Sequence, residues 1–213
     1  MFRITDSKII FPPEIYDEIT KNMKGNILDI GTADGYKLKN LLLRSNLEKI
    51  KRIVAIDPSP LYKKAKERLN EIKGAEVHNL GIEDFDCKEK FNVILMLDTI
   101  EHLFDPKGAL NRIVTLLKPE GALICSTPNK WIYHLAEGII GKRTEQTHVN
   151  EMTYGQFISL MDSYFEETKY MGVLPVMTLG RKFPRLLTSN RYLSFIPISR
   201  TIYCFAKKSR VRK

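Results

Sequence analysis

The sequence predicts an α/β protein, a mostly parallel sheet with helices on both faces. Three observations predict it. Short apolar, β-branched runs alternate with amphipathic helical stretches between Asn26 and Ser126, the order that buries a parallel sheet between helical layers. A glycine-bearing loop, Asp29-Ile30-Gly31-Thr32-Ala33-Asp34-Gly35, joins the first run to the helix after it. No apolar run approaches the roughly 20 residues that a membrane-spanning helix needs.

Residues 26–30 read as a short buried strand and residues around 37–43 as the helix after the loop. Residues 52–57 form the second strand. Ser59 is expected to cap a helix running to about Lys73, with Leu61, Ala65, Leu69 and Ile72 on one face. Residues 75–80 form a weaker third strand, and 91–97 an apolar fourth. Residues 107–117 are helical and stop near Lys118-Pro119-Glu120-Gly121, and 122–126 form the fifth strand. Beyond Pro128 the pattern loosens. Residues 131–140 read as an apolar helical insertion, 153–161 as a helix capped by Thr153, and 165–173 and 201–207 as the last strands. Residues 175–197 mix Leu, Phe, Arg and Pro without a period, so loops and short helices are expected there.

At 213 residues with 43% hydrophobic side chains, the chain can bury a core in one domain without staples. That domain is expected over 1–213, with its core at about 24–173, lid segments at about 130–150 and 175–197, and a basic tail at 207–213. Cys87, Cys125 and Cys204 are an odd number without metal-ligand spacing, so neither a disulfide framework nor a zinc ribbon is expected. Residues 1–12 lack a basic flank followed by an apolar core, so no secretory signal is expected and a reducing cytoplasm fits. The net charge of +9 is uneven: from Thr168 onward there are 11 basic residues and no acidic ones, leaving −2 on the rest. Such a basic segment suits an anionic partner there: a phosphate, an acidic membrane surface or nucleic acid. A solvated, solubilising tail is the alternative.

Small residues at Gly31, Ala33 and Gly35 let a ligand approach the backbone, beside the free N–H groups of a helix start. Asp57 ends the second strand, where a carboxylate can accept hydrogen bonds from two ribose hydroxyls. A dinucleotide fingerprint wants a third glycine three residues after the second, so NAD is the poorer fit; no Gly-Lys-Ser/Thr follows, so a Walker loop is absent.

These residues resemble the class I S-adenosylmethionine-dependent methyltransferases over about residues 24–173. The loop Asp29 to Gly35 matches that family's acidic-x-Gly-x-Gly-x-Gly motif, with Ala33 in place of the middle glycine. Val54-Ala55-Ile56-Asp57-Pro58-Ser59, the run from Phe91 through Asp98 to Glu101-His102, and Leu117 to Asn129 match later motifs in the same order. The resemblance is closest to the branch with the ubiquinone-type O-methyltransferases. It implies a Rossmann-like, seven-stranded, mostly parallel sheet whose last strand is antiparallel beside the fifth. It implies S-adenosyl-L-methionine as cofactor and S-adenosyl-L-homocysteine as product. By the same resemblance Asp29 and the Gly31, Thr32, Ala33 and Gly35 backbone would hold the methionine part and Asp57 the ribose. Pro58 and Ile82 would pack on the adenine, and Leu97 and Asp98 would line the methionine side. Gly81 stands where relatives place an acid near the adenine amino group, so the Ile82 backbone or Glu83 would substitute.

Asp98, Glu101, His102 and the later His148 form a second constellation. Two acids and two imidazoles can ring a divalent metal, and similar arrangements occur in small-RNA 2′-O-methyltransferases and metal-assisted quinone O-methyltransferases. Glu-His after the fourth strand is also widespread in relatives without metal, so a divalent metal is possible but not expected. His148, or Glu101 with His102, instead suits a general base near neutral pH. The turn Leu97-Asp98-Thr99-Ile100 lacks the Asn/Asp-Pro-Pro-aromatic motif of base N-methylation, and no cysteine sits in a nucleophile turn. The expected reaction is O-methylation of a small-molecule or lipid-like acceptor in the cytoplasm, peripheral to a membrane if the basic segment docks there. A non-catalytic S-adenosylmethionine-binding protein, or an RNA-directed methyltransferase fold, is the alternative.

Overall fold

The apolar runs at 27–30, 53–56 and 93–97 become buried strand segments. The computed structural model describes residues 11–132, 134, 148–173 and 199–210. Among them β1 (Gly25–Ile30), β2 (Ile50–Ile56), β3 (Ala75–His78), β4 (Phe91–Leu97) and β5 (Leu117–Pro128) pair in parallel. β6 (Phe165–Val173) and β7 (Thr201–Ser209) complete one sheet of order β3-β2-β1-β4-β5-β7-β6. β7 lies antiparallel to both β5 and β6, placing Cys204 opposite Cys125 on one side and Tyr170 on the other. The antiparallel last strand beside the fifth is thus as expected.

Side chains alternate across the sheet. Leu28 and Ile94 enter one core with Ile113 and Phe157, while Ile27 and Val93 enter the other with Leu41 and Tyr203. Burying each such side chain contributes about 1.5–3 kcal/mol. The first core is covered by α4 (Pro106–Leu116) and α5 (Tyr154–Tyr164), the second by α1 (Pro13–Thr20) and α2 (Tyr36–Arg44). α3 (Tyr62–Leu69) adds Leu69 to the second. No helix among the described residues is long and apolar enough to cross a membrane.

Local chemistry moves several boundaries. α1 goes beyond the sequence reading: Pro13 supplies the fixed φ of a first helical residue, and Ile15, Tyr16 and Ile19 are buried. α3 stops at Leu69 rather than Lys73, before a turn in which Gly74 adopts φ +80°. Ser59 does not cap it; its hydroxyl turns back to Asp57 and the helix starts after Leu61. β5 begins directly after α4: Phe91 pairs with Leu117 and Val93 with Ala122, so Lys118 to Gly121 bulge out instead of separating helix from strand. β7 runs on through Lys207, Lys208 and Ser209, so the basic tail expected from residue 207 is in part strand, with Lys208 paired to Glu167. Thr153 caps α5 as expected, and Gln156 completes a reciprocal capping box with it. The lid segments lie outside the described residues, except for residues 130–132, 134 and 148–150.

Candidate active site

The C-terminal ends of β1, β2 and β4 open into a cleft, where parallel sheets bind ligands. The loop after β1 is pinned from both sides. Gly31 N and Thr32 N donate to Ile56 O at 2.9 and 3.1 Å, and Ala33 N donates to Asp57 Oδ2 at 2.7 Å. Gly31 sits at φ +72°, and a Cβ there would collide with the Thr99 side chain, which itself donates to Ile30 O at 3.2 Å. Gly35, at φ +74°, opens α2 against the backbone of Ala65, 3.0 Å from where a Cβ would stand. The loop therefore takes its shape from glycines where only glycine fits. Ala33, also left-handed at φ +50°, is held there by the Asp57 bond.

Asp57 is buried. Its Oδ1 accepts from Ser59 N at 2.8 Å and from the Ser59 hydroxyl, while Oδ2 accepts only the Ala33 amide among these contacts. The carboxylate thus builds the loop and keeps Oδ2 lone-pair capacity for a ligand hydroxyl. It lines one recess of the cleft with Pro58, Gly81, Ile82, Glu83 and His102. The residues expected around adenine and ribose therefore surround a single hollow.

A second recess shares Gly31, Ala33 and Asp98 with the first and adds Asp29, Thr32, Lys37 and Leu97. Asp29 is fully enclosed, and its pKa is pushed up to about 7 by burial, with the Asp57 charge adding to it. The Thr32 hydroxyl beside Asp29 and the Lys37 charge oppose that rise. Lys37 Nζ lies 2.7 Å from Asp98 Oδ2 and 3.4 Å from Leu97 O. Asp98 has a left-handed backbone at φ +53°, fixed by Ser126, whose hydroxyl reaches Asp98 Oδ1 at 2.7 Å.

Beyond β4 a single 3₁₀ turn, Ile100–His102, points Glu101 inward and His102 into the first recess. Val149 N and Asn150 N both donate to Glu101 O, at 3.1 and 2.9 Å, which carries His148 to the same turn. The His102 and His148 rings meet edge to face with centroids 4.7 Å apart. Ligating atoms of Glu101, His102 and His148 all lie within 4.8 Å of one another. Asp98 does not join them, being held by Lys37 and Ser126. The Glu101 carboxyl accepts from Thr127 Oγ1 at 3.2 Å, and its pKa is pushed up to about 8, chiefly by burial and then by the Asp98 charge.

The structure brings the adenine, ribose and methionine candidates into one cleft and sets the Glu101–His102–His148 trio at its edge. The sequence reading omits four contributors: Lys37, Thr99, Ser126 and Thr127. A lysine two residues past Gly35, near the start of a helix whose side chains lean toward its N-terminus, is the signal that marks Lys37.

The methyltransferase domain family matches residues 11–165. The ubiquinone biosynthesis O-methyltransferase of Rhodopseudomonas palustris is 30% identical over 118 residues, 54% of this chain and 44% of that protein. The tRNA U34 carboxymethyltransferase of Aliarcobacter butzleri is 30% identical over 148 residues, 57% of this chain and 47% of that protein. The chain thus spans about half the length of these relatives. The crystal structure of the N-methyltransferase NodS from Bradyrhizobium japonicum WM9, in complex with S-adenosyl-L-homocysteine, superposes with a TM-score of 0.64 at 15% identity. That match covers 95% of this chain and 91% of NodS, and carries the fold alone. With a family match across most of its length and the expected sheet order around the glycine loop, the chain belongs to the methyltransferase domain family of the class I S-adenosylmethionine-dependent enzymes.

Proposed function

We propose that this chain transfers the methyl group of S-adenosyl-L-methionine to an oxygen of a small or lipid-like acceptor. The observation that carries the reading is the position of His102, which lines the recess shared by Asp57 and Asp98 and touches His148. A proton acceptor thus stands beside the place where the residues expected to bind cofactor converge. When bound, the cofactor supplies an electrophilic sulfonium methyl. The acceptor O–H bond breaks as the O–CH₃ bond forms, the S–CH₃ electron pair stays on sulfur, and the proton goes to an imidazole. Methyl transfer of this kind asks the protein for alignment and proton removal.

The three members of the trio take different parts in this reading. Glu101, held protonated near neutral pH by burial, is a poor base there. Its backbone carbonyl anchors residues 149 and 150, so it acts as a positioning residue. His102 and His148 accept the proton. The exposed Phe104 and Trp131, close in sequence to His102 and to the end of β5, favour an acceptor with apolar surface. The basic C-terminal residues favour one with negative charge, or an acidic membrane.

One carboxyl and two imidazoles also suit a divalent cation, which Glu101, His102 and His148 would hold and which would lower the acidity barrier of a bound hydroxyl. The test is transfer of labelled methyl from S-adenosyl-L-methionine into a lipid extract, a panel of phenolic metabolites and total tRNA, before and after exhaustive chelation. Label in lipid or phenol supports the reading, and label in tRNA alone replaces it with the RNA-directed one. Activity lost on chelation and restored by a divalent ion moves the trio from base to metal site.

A further inference from the structure

Behind His148, on the side away from His102, lies a carboxylate. Glu151 Oε1 stands 3.4 Å from His148 Nδ1, and Glu151 Oε2 stands 2.7 Å from His134 Nε2. The His148 and Glu151 side chains are 6% and 15% exposed, whereas that of His134 is 43% exposed. Four side chains thus run in file outward from the recess: His102, His148, Glu151 and His134. Glu151 Oε1 is buried and makes no hydrogen bond among the described residues. A buried carboxylate oxygen in that state gains most from an N–H donor, which the facing imidazole nitrogen can supply.

The backbone holds Glu151 in that place from two sides. Val149 N and Asn150 N donate to Glu101 O, and Asn150 Nδ2 donates to Leu103 O, which ties the segment to the turn after β4. On the other side Met152 bridges to Asn129 and accepts from Lys130 N at 3.0 Å, which ties it to the end of β5. His134 Nε2 then fixes the outer carboxylate oxygen. A carboxylate oriented in this way selects which ring nitrogen of a histidine carries the proton. With Nδ1–H turned to Glu151, His148 keeps an Nε2 lone pair for an acceptor hydroxyl. The 3.4 Å spacing exceeds the usual hydrogen-bond range of about 2.7–3.2 Å, as is common for catalytic pairs before the substrate enters.

We propose that Glu151 is a positioning residue of the reaction: it sets His148 in the Nδ1–H tautomer and turns Nε2 to the acceptor, with His134 holding the carboxylate in place. The inference rests on the oxygen-transfer reading given under Proposed function and adds to it a residue that acts through His148.

The experiment pairs nitrogen-15 NMR of the histidine rings, recorded where an ordinary imidazole is neutral, with transfer of labelled methyl into the phenolic panel and the lipid extract. Wild-type His148 is expected as the Nδ1–H tautomer. Glu151→Leu is expected to move it toward Nε2–H and to lower kcat about tenfold to a hundredfold, with the acceptor KM and the affinity for S-adenosyl-L-homocysteine unchanged. The unchanged affinity also reports an intact fold. Glu151→Gln, which keeps an oxygen acceptor, is expected to hold the tautomer and to retain most of the turnover. An Nε2–H tautomer in wild type, or a tautomer that Glu151→Leu does not move, would overturn the proposal. So would a moved tautomer with unchanged turnover. Loss of cofactor affinity in step with turnover in both variants would make Glu151 structural and overturn it too. If wild type methylates neither acceptor class, the oxygen-transfer reading itself fails and takes the proposal with it, whatever the tautomer.

Discussion

The backbone amide of Ala33 donates to Asp57 Oδ2 at 2.7 Å, so the tip of β2 holds the loop after β1 in shape. That carboxylate fixes the loop geometry, and we propose that it also captures the ligand. Asp57→Ala is expected to lower affinity for S-adenosyl-L-homocysteine at least tenfold, from the loss of roughly 1.5–3 kcal/mol of charge-assisted bonding. The melting temperature is expected to fall with it, because the Ala33 amide and Ser59 lose their partner. Calorimetry and a thermal melt on the same sample check both. Unchanged affinity would remove Asp57 from the binding site.

Ala33 carries strain that glycine would not. A left-handed alanine costs about 1–2 kcal/mol, and glycine returns part of that gain through its freer unfolded chain. Ala33→Gly is expected to raise the denaturation midpoint by the equivalent of about 1 kcal/mol or less, with the Asp57 bond intact. A lower midpoint would mean that the methyl group packs usefully.

Glu101 sets a sign for the pH dependence of stability. Its folded pKa, about 8, lies above the ordinary value of 4.5, so the folded state holds a proton that the unfolded state has released between those values. Stability contributed by the protonated carboxyl is complete below about pH 4.5 and is lost as pH rises toward 8. Asp29, with a folded pKa near 7, acts in the same direction. The slope has an upper bound of about 1.4 kcal/mol per pH unit for each group. Glu101→Gln is expected to flatten the decline in melting temperature between pH 5 and 8. Parallel profiles for wild type and variant would contradict the burial of a protonated Glu101.

Parts of the site were legible because their chemistry is contiguous. Gly31, Gly35 and Asp57 announce themselves through one loop and one strand end, and each lies where that pattern implies. Lys37, Thr99 and Ser126 were not legible in that way. Their roles depend on a left-handed Asp98 and on the β4–β5 register, which pairs Leu97 with Ser126. His148 was a candidate by residue type, but its meeting with His102 is made by two backbone bonds to Glu101 O. α1 left a readable signal, a proline start with apolar residues three and four apart. The helix after β4 stops where expected, but Pro119 and Gly121 sit in a bulge of β5 rather than in a loop that separates helix from strand.

The cysteines give a check on the sheet itself. Cys125 and Cys204 face each other across β5 and β7, both buried, and burial holds both thiols well above their ordinary acidity range. A disulfide-exchange reagent is expected to titrate one thiol quickly in the native protein, that of the partly exposed Cys87, and the other two only in denaturant. Cys87→Ser is expected to abolish the fast phase. Rapid reaction of three thiols would contradict the enclosed β5–β7 pairing.

The cleft between the β1 loop and the β2 tip is built for an adenosyl sulfur cofactor. Calorimetric titration of the wild-type protein with S-adenosyl-L-homocysteine, and in parallel with NAD, tests it most directly. Saturable one-to-one binding of S-adenosyl-L-homocysteine is expected, competed by S-adenosyl-L-methionine, with no measurable heat from NAD. Saturable binding of NAD, with none of the adenosyl thioether, would contradict it.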